Sequence, residues 1–240
     1  MEFTYDAYAK LISMLRYYDY QFVSYHNYEN SKLCVIMRHD VDTSLEKAVK
    51  LSSFERKLGI QSTYFVLVSS PLYNVVTADS IRKLRKIQAD GHEIGLHFDE
   101  LNYDEINYRK FGGVENTIRR EVDLLSSILE CEIRSVSMHR PSARTLQANY
   151  DLGNIVNSYS EEFFSGFKYV SDSRRRWRED VYEIIKSRKY NKLHILTHAF
   201  WYNEVEKSIK QSILEFIDDA VIERTMALNQ NITDLVEIIK

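Results

Sequence analysis

Along the chain, stretches in which apolar residues recur every three or four positions alternate with short runs that are apolar almost throughout. Residues 6–18 have the helical spacing, whereas 33–38 form an apolar run ending in charge, the pattern of a buried strand. The alternation continues with a helix over 44–58 closed by Gly59, a strand at 62–68, a helix over 77–90 closed by Gly91 and a strand at 92–97. After Gly112-Gly113 an amphipathic helix spans 114–130 and leads into a strand at 133–138. A strand at 167–171 and a helix over 178–187 precede the last strand, 193–198, and a C-terminal helix over 204–224. Glycine ends helices readily because it enters the left-handed conformation without strain. Strand and helix alternating through short loops predict an α/β fold, a parallel sheet covered by helices in one domain over 1–240. Five or six strands fit both an incomplete (β/α) barrel and an open doubly wound sheet.

What ends these strands is more informative than the strands themselves. The first runs into Asp40-Val41-Asp42, the third into His97, the fourth into His139-Arg140-Pro141, the next into Asp172 and the last into His198. In parallel α/β folds, sites assemble at the C-terminal strand edge from residues far apart in sequence. One histidine there would be unremarkable, but three of the seven in the chain, with two acidic groups, point to a site. Side chains at i and i+2 share a strand face, so Asp40 and Asp42 point together while His39 points away. By the same count Glu93 and His97 align, as do Ser135, Ser137 and His139. His39, His92 and His194 are therefore expected to be structural.

These motifs resemble those of the polysaccharide deacetylase family. The match rests on Asp40-Val41-Asp42, on Ser62-Thr63-Tyr64-Phe65-Val66 and on Gly91-His92-Glu93-Ile94-Gly95-Leu96-His97. Then follow His139-Arg140-Pro141, Asp172-Ser173 with Trp177, and Leu196-Thr197-His198. The resemblance covers residues 33–201 and implies a distorted, incomplete (β/α) barrel. It also implies a metal-dependent hydrolase that removes an N- or O-acyl group, such as acetyl, from a sugar. In that comparison Asp42 and His97 resemble metal ligands, Asp40 the general base and His198 the general acid. Such hydrolysis needs an activated water, a polarised carbonyl and a proton for the leaving group, which one divalent ion, zinc first, can serve together with an acid and a base. Arg140 is expected to orient Asp40 or hold substrate, and Trp177, Asp172 and Tyr202 to line the sugar site.

The sequence departs from the family where a second histidine ligand, four residues after His97, is replaced by Leu101. His139 is the chosen third ligand because it ends the neighbouring strand beside small serines; Asp99 and Glu100 are the alternatives. The same departure leaves open an inactive carbohydrate-binding relative, and the acyl pocket cannot be read from spacing, so an amidase or deformylase also stays open.

Composition narrows the partners. Hydrophobic residues make up 44% of the 240 and charged residues 28%, enough for a substantial core. Thirty-two Lys+Arg against 35 Asp+Glu give a net charge of −3, which offers no field for nucleic acid. No run reaches the roughly 20 apolar residues of a membrane span. The N-terminus lacks a secretion-type segment, and Cys34 and Cys131 lack metal-type spacing, so a cytoplasmic protein with unpaired thiols is expected. The expected partner is an acylated sugar or glycan precursor of surface-polysaccharide biosynthesis. If that precursor carries phosphates, Arg174, Arg175, Arg176 and Arg178 would clamp them.

Overall fold

The computed structural model describes residues 1–238. Eight strands form one parallel sheet: β1 Gln21–Val23, β2 Cys34–Val41, β3 Thr63–Val66, β4 Glu93–Asp99, β5 Ser135–His139, β6 Val156–Asn157, β7 Lys168–Ser171 and β8 Lys192–Thr197. Their order across the sheet is β6-β5-β4-β3-β2-β8-β7. Strand β1 pairs with the first half of β2, at Cys34 to Ile36, and β3 with its second half, from Arg38 to Val41. Every pairing is parallel. The connections carry helices α1 Tyr5–Tyr17, α2 Leu45–Leu58, α3 Ala78–Ala89, α4 Glu105–Phe111 and α5 Val114–Leu129. Helices α6 Ala143–Ala148, α7 Glu161–Phe164, α8 Val181–Ser187, α9 Ile209–Asn231 and α10 Leu235–Ile238 follow.

The sheet curls into an incomplete (β/α) barrel. Strands β2 and β5 are three positions apart, which would separate them by about 14 Å in a flat sheet. Yet Arg38 of β2 donates to Ser137 Oγ of β5 at 2.7 Å and to Ser158 Oγ, just past β6, at 2.9 Å. Only a closed curve brings those side chains together, and the barrel stays open between β6 and β7.

Strand alternation then divides the molecule into two layers. Val35, Met37 and Val41 of β2 face outward and pack with Leu11, Leu51 and Leu84 of the covering helices in the main core. Each such side chain contributes roughly 1.5–3 kcal/mol on burial. The inward-facing residues of β2, Cys34, Ile36, Arg38 and Asp40, grade from apolar at the barrel floor to charged at its rim. Gly95 is required inside: a Cβ there would lie 2.5 Å from the Phe65 ring and 2.9 Å from the Ser135 carbonyl oxygen. The Phe65 ring it accommodates lies 5.3 Å from the Arg38 guanidinium and forms a floor beneath it.

Several expectations shift. The sheet has eight strands where five or six were legible, because β1 and β6 span three and two residues, too short to show a period. Short helices α4, α6 and α7 were hidden for the same reason. The long helix expected over 204–224 is α9, which begins at Ile209, after the Ser208 cap, and continues to Asn231. Cys34 is buried and Cys131 half-buried, and both thiols are free. Among the described residues no helix is long and apolar enough to cross a membrane.

Candidate active site

Three donor atoms converge at the C-terminal rim of the barrel. His97 Nε2 of β4 lies 3.2 Å from Asp42 Oδ1, just past β2, and His139 Nδ1 of β5 lies 3.4 Å from that oxygen. The two imidazole nitrogens are 3.1 Å apart. Ligands about 2.0–2.1 Å from a tetrahedral zinc are separated by roughly 3.3–3.4 Å, so these three atoms have the spacing of one tetrahedral face. Asp42 Oδ1 is buried with no hydrogen-bond partner, which is costly for a carboxylate oxygen unless something else satisfies it. Donor set and geometry thus fit a divalent cation, and Asp42, His97 and His139 are the residues that could hold it.

Asp40 lies beside this face with its carboxylate divided between two tasks. Oδ2 accepts from Arg38 Nη2 at 2.8 Å and stands 3.7 Å from His97 Nε2, while Oδ1 is buried without a partner. Burial alone would raise the Asp40 carboxyl, but Arg38 first, then His97 and His198, hold it below its ordinary value. Asp42 follows the same logic: burial opposes its charge, and the adjacent His139, His97 and His198 overcome that and hold it well below the usual carboxylate range. Arg38 is itself wholly buried, sandwiched between the Phe65 and Tyr159 rings.

On the other side stands His198, whose Nε2 lies 3.7 Å from Asp42 Oδ2. Its Nδ1 bonds Asp172 Oδ1 at 2.6 Å, and its backbone N–H donates to Asp172 Oδ2 at 3.1 Å. Burial would lower this imidazole, but Asp172, with help from Asp42 and Asp40, pushes it up to about 9. With Nδ1 engaged by Asp172, Nε2 is left facing the rim.

The structure therefore brings Asp40, Asp42, His97, His139 and His198 together, and it puts four other candidates in different surroundings. Arg140 does not reach Asp40: it sits at a positive φ of 47° after β5, and its largely exposed side chain bonds Asp99 Oδ2 at 2.8 Å. Arg38 takes the place at Asp40 because residues two apart on one strand share a face. Asp172 is fully buried under His198 and bonds its ring and its backbone N–H. Tyr202 is also fully buried, its hydroxyl 3.4 Å from Asp172 Oδ2 and its ring against Tyr8 and Phe3. Trp177 is half-buried and packs on the main core.

The remaining candidates fall elsewhere. Asp99 stays near the site, 3.9 Å from His139 Nε2, whereas Glu100 binds Ser142 and Thr145 at the start of α6. Leu101 is 68% exposed. Arg175 is not free to clamp anything: it bonds Glu206 and the Lys207 carbonyl and lies over Phe3. Arg174, Arg176 and Arg178 are exposed. His39 and His92 surround Glu55 behind the sheet, and His194 lies at the barrel floor against Tyr25. Arg38 is the site residue that strand-end reasoning missed, although its position two before Asp40 was a usable signal.

No protein-family model and no curated protein matches the chain. Solved structures do resemble it distantly. The peptidoglycan deacetylase PdaC from Bacillus subtilis is 14% identical, with a TM-score of 0.46 over 79% of this chain and 85% of that one. A family 4 carbohydrate esterase from Bacillus anthracis is 15% identical, with a TM-score of 0.43 over 88% and 84%. A mutant of BA3943, a CE4 family pseudoenzyme, with restored enzymatic activity, is 14% identical with a TM-score of 0.45. That match covers 80% of this chain but 64% of the other, so the chain spans less than two thirds of that protein's length.

Proposed function

We propose that this protein is a metal-dependent hydrolase that removes an acyl group, acetyl first, from a sugar or glycan precursor. The observation that carries the reading is the single rim cluster: a three-donor face of Asp42, His97 and His139 flanked by Asp40 and His198. A pure binding site has no use for a buried, charged carboxylate on one side of a donor face and a protonated imidazole on the other. One divalent ion, zinc by its nitrogen and oxygen donors, would supply Lewis acidity to the acyl carbonyl and the attacking water.

The residues divide the proton work. Arg38 fixes Asp40 Oδ2, which leaves Oδ1 as the acceptor for a proton from water. As the acyl C–N or C–O bond breaks, His198 Nε2 gives its proton to the departing sugar atom, and Asp172 holds the ring in that orientation. Water thus ends as the acid product's oxygen and the sugar's new N–H or O–H. The unpaired Cys34 and Cys131 accord with a reducing compartment, so we place the substrate among cytoplasmic precursors of surface polysaccharides.

The test is metal analysis joined to turnover. Purified chain should take up about one equivalent of zinc by this donor count, and Asp42→Asn and His139→Ala should both lose it. Loaded protein should release acetate from an N-acetylated amino sugar, free or nucleotide-linked. Full metal retention in His139→Ala with loss in Asp99→Ala would move the third ligand. Metal uptake without release of any acyl group would leave a carbohydrate-binding protein.

A further inference from the structure

Just past His139 the chain makes a turn that the rim cluster leaves unexplained. Arg140 sits at a φ of 47°, in the left-handed region that a residue other than glycine enters at a cost. The turn carries its guanidinium to Asp99, whose Oδ2 accepts from Nη2 at 2.8 Å. Asp99 is buried although it ends β4, and its Oδ1 accepts from the Leu101 backbone N–H at 3.1 Å. The position where a second histidine ligand was expected thus contributes its amide to Asp99. Two anchors, one from its own following turn and one from the residue after His139, fix this carboxylate.

Register shows what it is fixed against. Asp99 is the direct neighbour of His139 across β4 and β5, and, two residues beyond His97, it shares the barrel face of that ligand. His139 Nδ1 lies 3.4 Å from Asp42 Oδ1 and 3.1 Å from His97 Nε2, whereas its other nitrogen, Nε2, lies 3.9 Å from Asp99 Oδ2. Asp99 is outside the donor face itself: Asp42, His97 and His139 each place one ligand atom within 4.8 Å of the others, and Asp99 does not join them. It meets that face through the His139 ring.

We infer that Asp99 is a positioning residue for His139, holding the ring with Nδ1 toward the donor face. The inference rests on the reading that Asp42, His97 and His139 hold a divalent ion. A neutral imidazole that binds a cation through one nitrogen carries its proton on the other. A carboxylate beyond that second nitrogen favours both the tautomer and the ring orientation. A flipped ring would set a carbon where Nδ1 stands and a C–H against Asp99. At 3.9 Å the contact is longer than a hydrogen bond, so Asp99 acts through its charge, which is little screened at a buried position. The left-handed turn at Arg140 then has a use, because it brings the cation that keeps Asp99 in place.

The test is the zinc affinity of the full chain by competition with a chromophoric chelator, with zinc stoichiometry and urea unfolding of the metal-free chain measured alongside. Asp99→Asn removes the charge but keeps the size and an acceptor for Leu101. It should bind zinc with the wild-type stoichiometry but about 10–100-fold more weakly. Arg140→Gln, which removes one anchor and leaves the carboxylate, should weaken binding less, and it carries the test if Asp99→Asn does not fold. Glu100→Gln makes the same charge change one residue on, where the carboxylate serves Ser142 and Thr145, and should leave the affinity unchanged. Wild-type affinity in Asp99→Asn, with only the unfolding altered, would make Asp99 a tie for its loop and overturn the inference while the metal site stands. Zinc lost outright in Asp99→Asn yet kept in His139→Ala would make Asp99 the ligand and overturn it too. A wild type that takes up no zinc defeats the metal reading and this inference together.

Discussion

On the helix-facing side of β2, His39 stands over Glu55 of α2; on the barrel-facing side, one residue along, Asp40 stands beside His97 and His198. Both clusters pair buried carboxylates with imidazoles, and they differ in saturation. Glu55 accepts from Tyr8, from His39 Nε2 at 3.0 Å, from Ser62 at 2.6 Å and from Tyr64 at 2.7 Å, all of them buried. Burial would raise Glu55, but His39 and then His92, with the Ser62 bond, bring it down to about 2. At the rim, Asp40 Oδ1, Asp42 Oδ1 and His97 Nδ1 have no hydrogen-bond partner. A satisfied network rigidifies a fold, whereas converging donors left unsatisfied keep capacity for a ligand. The same residue types therefore hold structure behind the sheet and are free for chemistry at its edge.

The sharpest test of this contrast lies at His198. His198→Gln should lower turnover by about 10²–10⁴-fold, the usual loss for one general acid, and leave the chain folded although it strips the buried Asp172 of its charge partner. A variant that unfolds would make the rim as structural as the outer cluster. Glu55→Ala should do the reverse. It strands His39 and two tyrosine hydroxyls and should cost about 3–5 kcal/mol in urea unfolding, with zinc stoichiometry of the folded fraction unchanged.

Asp40→Asn should combine both kinds of loss, because Arg38 keeps Ser137 and Ser158 but loses its charge partner. A third measurement uses pH. A carboxyl depressed to about 2 in the fold stabilises it fully above its unfolded value near 4.3 and loses that contribution as pH falls toward 2. Wild type should lose about 3 kcal/mol more than Glu55→Ala between roughly pH 5 and 2. Parallel curves for the two proteins would show that Glu55 is not held ionised.

The smallest effect belongs to Tyr202→Phe, which removes one 3.4 Å bond to Asp172. Stability should fall by about 1 kcal/mol or less and turnover by severalfold at most, since Asp172 keeps both bonds to His198. A large loss of substrate affinity would return Tyr202 to the sugar site.

The alternation of strands and helices and the placing of Asp40, Asp42, His97, His139 and His198 at strand ends were legible in the sequence. Those are local properties, set by a period of two along a strand and by the glycines and caps that stop helices. It could not decide which arginine serves Asp40. Arg140 sits in a motif beside His139, but a left-handed turn sends it to Asp99, and Arg38 reaches Asp40 along its own strand. Nor could it separate Tyr202 and Asp172 from the sugar site, because both are wholly buried only once β7, β8 and α1 have closed around them. Tertiary structure decided these points for a physical reason. Burial, and the meeting of Asp42 with His139 across three strands, depend on how far the sheet curls, and curvature is a property of the assembled strands.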